Sequence, residues 1–271
     1  MIDPHSFREF EHSGWQTIPQ RYHRAFGGLT SQTIEPLLNA VGVKKNTKVI
    51  DIATGPGYVA AAATKRGATV VGVDFSGPMV AEAQRHYPDV EFREGDAEQL
   101  PFGNGLFDAA VMNFGILHLA RPEQALVEAQ RVLRPGGKFG FTAWAKPEET
   151  IAFGIVLRAI EAHGNFQVSL PEGPPFFRFS ESDECVRSLL AASFESPTVS
   201  KFSQLWRLPA GDGLFEAMKE GTVRTAGLLR EQNPEALGRI REAIRKDAEA
   251  YRKGDVIELP MPAMLASGTK P

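Results

Sequence analysis

The sequence predicts an α/β fold, a parallel sheet covered by helices, and three observations predict it. Between residues 47 and 144, short runs rich in Val, Ile and Phe alternate with longer stretches of helical period, the rhythm of strands joined by crossover helices. Gly67, Pro88 and the Arg134-Pro135-Gly136-Gly137 cluster fall between those runs, where residues that break regular backbone belong. The composition, 42% hydrophobic and 23% charged over 271 residues, suffices for one large domain with a full core.

The first strand is expected at 48–53, followed by the turn Thr54-Gly55-Pro56-Gly57 and an Ala-rich helix to about Arg66. A second strand at 69–74 leads into Ser76-Gly77-Pro78, a capping residue with a proline near the first helical position, which opens a helix through about His86. Pro88 stops its continuation. A third strand at 90–93, a fourth at 107–113, a helix from Pro122 to about Leu133, a tight reversal at 134–137 and a fifth strand at 138–144 complete this half.

Beyond Trp144 the rhythm changes. Helical stretches at 149–163 and 213–252 interrupt the sheet and read as lid insertions. Between them a helical segment at 180–193 and a strand at 198–208 resume it, and a last strand at 256–266 contains Pro260 and Pro262, which suggest an edge or a bulge. The loop 167–179, with three prolines and three phenylalanines, is long and apolar for a connection. One domain is therefore expected over 1–271, with a core at 30–146, 180–208 and 255–271 and cap segments at 1–29, 147–179 and 209–254.

A net charge of −3 without a Lys/Arg-rich run argues against nucleic acid as a partner. No stretch is apolar for long enough to span a bilayer, and the N-terminal residues hold no signal-peptide core. Cys185 is the single cysteine, which excludes an intramolecular disulfide and fits a reducing cytoplasm. No metal is expected.

In an open α/β sheet, ligands bind beyond the carboxyl ends of the strands. Gly55-Pro56-Gly57 stands at the first such turn, where missing side chains let backbone approach a ligand and a helix N-terminus offers free N–H groups. Asp74 ends the second strand, placed to accept both hydroxyls of a ribose. A tight turn and a helix cap would use the same residues. The spelling Gly55-x-Gly57-x-x-Ala60 also satisfies a relaxed dinucleotide fingerprint, so an NAD-dependent oxidoreductase competes.

Asp51, four residues before Gly55, with Gly95-Asp96-Ala97-Glu98-Gln99-Leu100-Pro101-Phe102 and Leu133-Arg134-Pro135-Gly136-Gly137, resembles the ordered motif set of class I S-adenosylmethionine-dependent methyltransferases. The likeness runs from about residue 33 to 142 and is nearest to the branch that includes ubiquinone and menaquinone biosynthesis methyltransferases. Dinucleotide enzymes have no counterpart to the 95–102 segment. The resemblance implies a Rossmann-like, doubly wound, mostly parallel seven-stranded sheet with helical lid insertions. It implies S-adenosyl-L-methionine as cofactor and S-adenosyl-L-homocysteine as product. It also implies a cofactor-binding set of Asp51, Ala53, Gly55, Gly57, Asp74, Phe75, Met79, Asp96, Ala97 and Asn113. In that family the glycine loop faces the methionine part, the residue matching Asp74 holds the ribose, and the one matching Asp96 bonds the adenine amino group. Related enzymes cover the cofactor with an N-terminal helix, for which Tyr22 is the candidate. Trp15, Tyr22 and Phe26 at helical spacing would equally form a face packed on the sheet.

Within that fold, Asn113-Phe114-Gly115-Ile116 departs from the Asn/Asp-Pro-Pro-aromatic turn of amino-group base methylation, and Cys185 follows Glu184 rather than proline, so a nucleic-acid base is disfavoured. A small-molecule acceptor, apolar or aromatic, is expected from Phe153, Phe176, Phe177, Phe179, Phe215 and Met218. His118, just past the fourth strand, is the catalytic candidate if a hydroxyl or acidic carbon must lose a proton; proximity alone would let it serve as mere packing. Arg178 or Arg224 could bind an acceptor carboxylate, although a lone arginine is usually solvated. A homodimer through 228–244 and a catalytically silent cofactor-binding regulatory module are the remaining alternatives.

Overall fold

The computed structural model describes residues 3–271. Two helices, α1 (Pro4–Thr17) and α2 (Pro19–Thr30), precede α3 (Ile34–Ala40) and the alternating half: β1 (Lys48–Ile52), α4 (Tyr58–Lys65), β2 (Thr69–Asp74), α5 (Gly77–His86), β3 (Glu91–Glu94), β4 (Phe107–Asn113), α6 (Pro122–Val132) and β5 (Leu133–Trp144). There follow α7 (Ile151–His163), α8 (Ser182–Ala191), β6 (Glu195–Phe202), β7 (Leu205–Pro209), α9 (Gly213–Gly221), α10 (Arg224–Arg230), α11 (Pro234–Ala248), β8 (Arg252–Lys253), β9 (Val256–Pro260) and β10 (Ala263–Thr269). Seven strands form one sheet in the order β3-β2-β1-β4-β5-β10-β6, with β10 antiparallel to both neighbours. This is the expected α/β, doubly wound, mostly parallel architecture. Among the described residues no helix is long and apolar enough to cross a membrane.

Local chemistry sets the helix starts as read. Ser76 Oγ accepts from Met79 N at 3.3 Å, capping α5 with Pro78 in its first turn. The expected reversal at 134–137 is a bulge inside β5: pairing with β4 jumps from Phe107↔Leu133 to Ala109↔Lys138, with Gly136 at φ +76°.

Three expected elements divide. The strand expected at 198–208 is β6 of the main sheet and β7 of a separate three-stranded sheet, ordered β7-β9-β8. The strand expected at 256–266 splits likewise into β9 and β10. Pro260 and Pro262 lack the N–H donors a continuous ladder needs, and the two breaks are stitched together where Met261 N donates to Gln204 O at 3.0 Å and Gln204 Nε2 donates to Met261 O at 3.2 Å. The helix expected at 213–252 is three helices. The last is restarted by Asn233, whose side chain accepts from Ala236 N at 2.8 Å, with Pro234 at its first position, a cap-plus-proline signal identical in kind to that of Ser76.

The apolar loop 167–179 is apolar because its aromatic rings are packed: Phe176 and Phe177 stand edge-on to Phe153 of α7, and Phe179 to Phe141 of β5. With α1, α2, α9 and α10, this loop lies over the carboxyl ends of the parallel strands, since Trp15, Tyr22, Phe176 and Arg224 share cavities with residues at those ends.

Candidate active site

A cavity of about 860 Å³, open to solvent, lies over the ends of β1, β2, β3 and β4. At the end of β1, Asp51 is 1% exposed. Its Oδ2 accepts from Thr54 Oγ1 at 2.6 Å and Ala60 N at 3.0 Å, tying the glycine turn to the first turn of α4. Its Oδ1, also buried, has no partner among the described residues. Burial pushes this carboxyl up to about 7, against the hydrogen bonds from Thr54 and Ala60. Ala53 adopts φ +55°, strained for an L-residue, and its Cβ fills the space where Gly115 has none.

The two glycines of the turn do different work. Gly55 (φ +51°) has open space where a side chain would begin, on the cavity side, and its N–H donates to Asp74 Oδ2 at 2.8 Å. Gly57 (φ +85°) faces away: a Cβ there would lie 2.7 Å from the Phe92 ring, so it serves close packing and does not line the cavity. The other cofactor-set residues expected from sequence, Asp51, Ala53, Gly55, Asp74, Phe75, Met79, Asp96, Ala97, Asn113 and Tyr22, are brought together around it, as is His118.

Asp74 takes one backbone N–H on each oxygen, from Gly55 and from Ser76 at 3.0 Å. A carboxylate has about four lone-pair sites, so each oxygen keeps acceptor capacity for hydroxyls. Burial raises this carboxyl to about 6, partly offset by the N–H groups of Ser76 and Gly55 and by His118 and His12. Asp96 is held from above, Oδ2 accepting from Arg8 Nε at 3.1 Å and Nη2 at 2.6 Å, while Oδ1 accepts from Glu98 N. Asn113 is structurally committed: its Oδ1 accepts from Thr33 and Thr142 hydroxyls, and its Nδ2 donates to Thr30 O, fastening the end of α2 to the sheet.

Sequence reasoning missed Glu11. It lies on the buried face of α1 between Phe7 and Trp15, wholly buried, and its Oε2 receives Trp15 Nε1–H at 2.9 Å and contacts His118 Nδ1 at 3.0 Å, 107 residues along the chain. The spacing Phe7, Glu11, Trp15 at four-residue intervals puts a carboxylate inside an apolar stripe, a legible anomaly. A carboxylate at Nδ1 favours, for an imidazole without a second proton, the tautomer with its proton on Nδ1 and a lone pair on Nε2.

Beside the first cavity lies a second, of about 410 Å³, lined by Phe26, Phe114, Trp144, Phe153, Phe176 and Arg224 among others; Trp15, Tyr22 and His118 border both. The seam between the cavity that holds Asp51, Asp74 and Asp96 and the aromatic chamber thus carries one imidazole.

A family profile described as a methyltransferase domain matches residues 50–141, the segment that builds the first cavity. Residues 50–141 are thus similar to a methyltransferase domain. Two curated relatives of this domain are demethylmenaquinone methyltransferases. That of Renibacterium salmoninarum is 34% identical over 148 residues, covering 53% of this chain and 62% of the relative. That of Beutenbergia cavernae is 40% identical over 121 residues, covering 43% and 50%. The chain thus spans roughly half to three fifths of the length of these relatives. Among solved structures, phosphoethanolamine N-methyltransferase 2 of Haemonchus contortus, in complex with phosphomonomethylethanolamine and S-adenosylhomocysteine, aligns with TM-score 0.60 at 19% identity, covering 98% of this chain and 60% of that one; it shares the fold.

The residues lining the first cavity fit S-adenosylmethionine. Gly55 leaves a side-chain-free cradle, Asp51 Oδ1 is a buried acceptor without a partner, and the carboxylate of Asp74 has spare lone pairs.

Proposed function

We propose that this chain transfers a methyl group from S-adenosylmethionine to a small aromatic acceptor seated in the second chamber, with His118 taking the acceptor's proton. The observation that carries this reading is the seam: the carboxylate-bearing cavity and the aromatic chamber meet at Trp15, Tyr22 and His118. In the first cavity, Gly55 and Asp51 face the amino-acid tail, Asp74 accepts the ribose hydroxyls, Asp96 and Ala97 meet the adenine, and Phe75 and Met79 pack on it. Gly57 shapes the turn from behind and Asn113 fixes α2 without touching the ligand. The segments expected as the cap, 1–29, 147–179 and 209–254, close over both cavities in this reading, and Tyr22 belongs to the cofactor-facing surface.

When bound, the cofactor supplies an electrophilic methyl on a sulfonium. The residues of the seam hold the acceptor oxygen or acidic carbon in line and exclude water, which accounts for much of the rate. Glu11 holds the ring of His118 so that Nε2 can receive the proton that the acceptor loses on taking up the methyl group, whose former bonding pair would stay with the cofactor as a neutral thioether. The names of the curated relatives suggest a quinone-type ring as one such acceptor. The family match ends before Phe153, Phe176 and Arg224, so the aromatic chamber itself is the ground for the acceptor class. A single buried cysteine suits a reducing cytoplasm, and a second copy of the chain on the α11 face remains part of this reading.

The test is incubation with methyl-labelled S-adenosylmethionine and a metabolite extract rich in phenols and quinols. Label should move to an aromatic product in the wild type and not in His118→Ala. Cofactor binding without transfer in any extract would favour the silent regulatory module.

A further inference from the structure

The second chamber holds one cation among rings. Arg224, the first residue of α10, lines it, with its guanidinium carbon 5.1 Å from the ring centroid of Phe7 and 5.3 Å from that of Phe176. One nitrogen, Nη1, donates to Pro174 O at 3.0 Å and approaches Leu117 O at 3.5 Å. Among the described residues, Nε and Nη2 donate to nothing, and no carboxylate pairs with the group. The anion that acts on it is Glu11, whose Oε2 is engaged by Trp15 and His118 and whose buried Oε1 has no partner among the described residues, yet the two groups form no ion pair.

Among the partly buried arginines this arrangement stands apart, since Arg8, Arg66, Arg131 and Arg178 each meet a carboxylate. Taking a guanidinium from water is unfavourable unless its donors are satisfied, and burial lowers the pKa of Arg224, Glu11 acting the other way. Two aromatic faces recover part of that penalty. They also hold the guanidinium plane in place, which preorganises the remaining donors for a flat oxyanion. Phe176 spans the gap to the imidazole, its ring 6.2 Å from that of His118. A ligand ring in this chamber can therefore present an oxyanion to Arg224 and its reacting atom to His118.

We infer that the acceptor is an aromatic carboxylate, recognised through a charge-assisted hydrogen bond from Arg224, with the methylated position at the other end of the ring beside His118. This rests on the methyltransferase reading and narrows it, since a neutral quinol would leave the guanidinium without a hydrogen-bonded ion-pair partner.

The experiment is calorimetry on the full chain, first with S-adenosylhomocysteine, then on the loaded protein with 2-naphthoate and its neutral isostere 2-naphthamide. The wild type should bind naphthoate about tenfold to a hundredfold more tightly than the amide. Arg224→Met should abolish that ratio with the affinity for S-adenosylhomocysteine unchanged, and Arg224→Lys should keep part of it. Equal binding of the two probes by the wild type, no binding of either at millimolar concentration, or a preference that survives Arg224→Met would each overturn the inference. The wild-type ratio decides the matter even where a variant does not fold. A failed first titration would instead remove the methyltransferase reading; the probes are then compared on the chain alone.

Discussion

The two cavities are built in different ways. The one over the ends of β1, β2, β3 and β4 is made largely of strand-end turns: each of its carboxylates accepts a backbone N–H from its own turn region, Asp51 from Ala60, Asp74 from Ser76 and Asp96 from Glu98, and only Asp96 also meets a distant side chain, that of Arg8. The aromatic chamber is assembled from distant pieces, with Glu11 from α1 meeting His118, and Arg224 from α10 meeting carbonyls of Leu117 and Pro174. Backbone-held groups are rigid and tied to local spacing; groups brought from afar depend on how the cap packs. Substitutions in the first region should therefore abolish cofactor binding, and those in the second should slow turnover with cofactor binding intact.

The largest expected effect is on chemistry at the seam. His118→Ala should lower kcat by about a hundredfold to ten-thousandfold, and Glu11→Gln by about tenfold or more, with KM for S-adenosylmethionine unchanged in both. A matching rise in KM would show that α1 serves the cofactor rather than the base. Next comes Asp74→Ala, which should weaken S-adenosylhomocysteine binding by roughly a hundredfold in calorimetry, the loss expected for charge-assisted hydrogen bonds; unchanged affinity would remove the ribose assignment.

That division also explains what the sequence revealed. Every expected member of the cofactor set except Gly57 lies on the cavity, because a turn at a strand end places its residues by spacing alone. Gly57 belongs to the same motif yet faces Phe92, since spacing shows where a glycine is needed and not which neighbour requires it. Asn113 lies on the cavity, but its polar atoms are consumed by Thr30, Thr33 and Thr142, partners set by tertiary packing. The division of 198–208 and of 256–266 between two sheets was equally out of reach, since a strand's residues do not state which sheet pairs with them. Glu11 and Asn233 carried signals that were readable, a carboxylate in an apolar stripe and a cap before proline.

The smaller predictions sharpen the same contrast through pH and packing. Asp74 is held near 6, and only its ionised form accepts two hydroxyls. The affinity for S-adenosylhomocysteine should therefore fall as pH drops through about 6, with no such inflection in Asp74→Asn. For folding the sign is opposite. Asp51 has its carboxyl raised from 3.8 to about 7, so between those values the folded state binds more protons than the unfolded one. Its contribution to stability is full below 3.8 and is lost as pH rises through about 7. Asp51→Asn, whose side-chain oxygen can still accept from Thr54 and Ala60, should flatten that decline in urea titrations. Gly57→Ala should lower stability by about 1–3 kcal/mol through the left-handed backbone and the Phe92 contact, with little change in ligand affinity once folded. The smallest effect belongs to Arg8→Ala. Its partly exposed pair with Asp96 should contribute less than about 1 kcal/mol.

The most direct measurement is a crystal structure of the chain with S-adenosylhomocysteine bound. The account predicts the ribose hydroxyls on Asp74, the adenine beside Asp96 and Ala97, and the sulfur at the seam, turned toward His118 and the aromatic chamber. A thioether buried at the opposite end of the cavity, or a ligand lodged outside it, would contradict the claim that the two cavities form one methyl-transfer site.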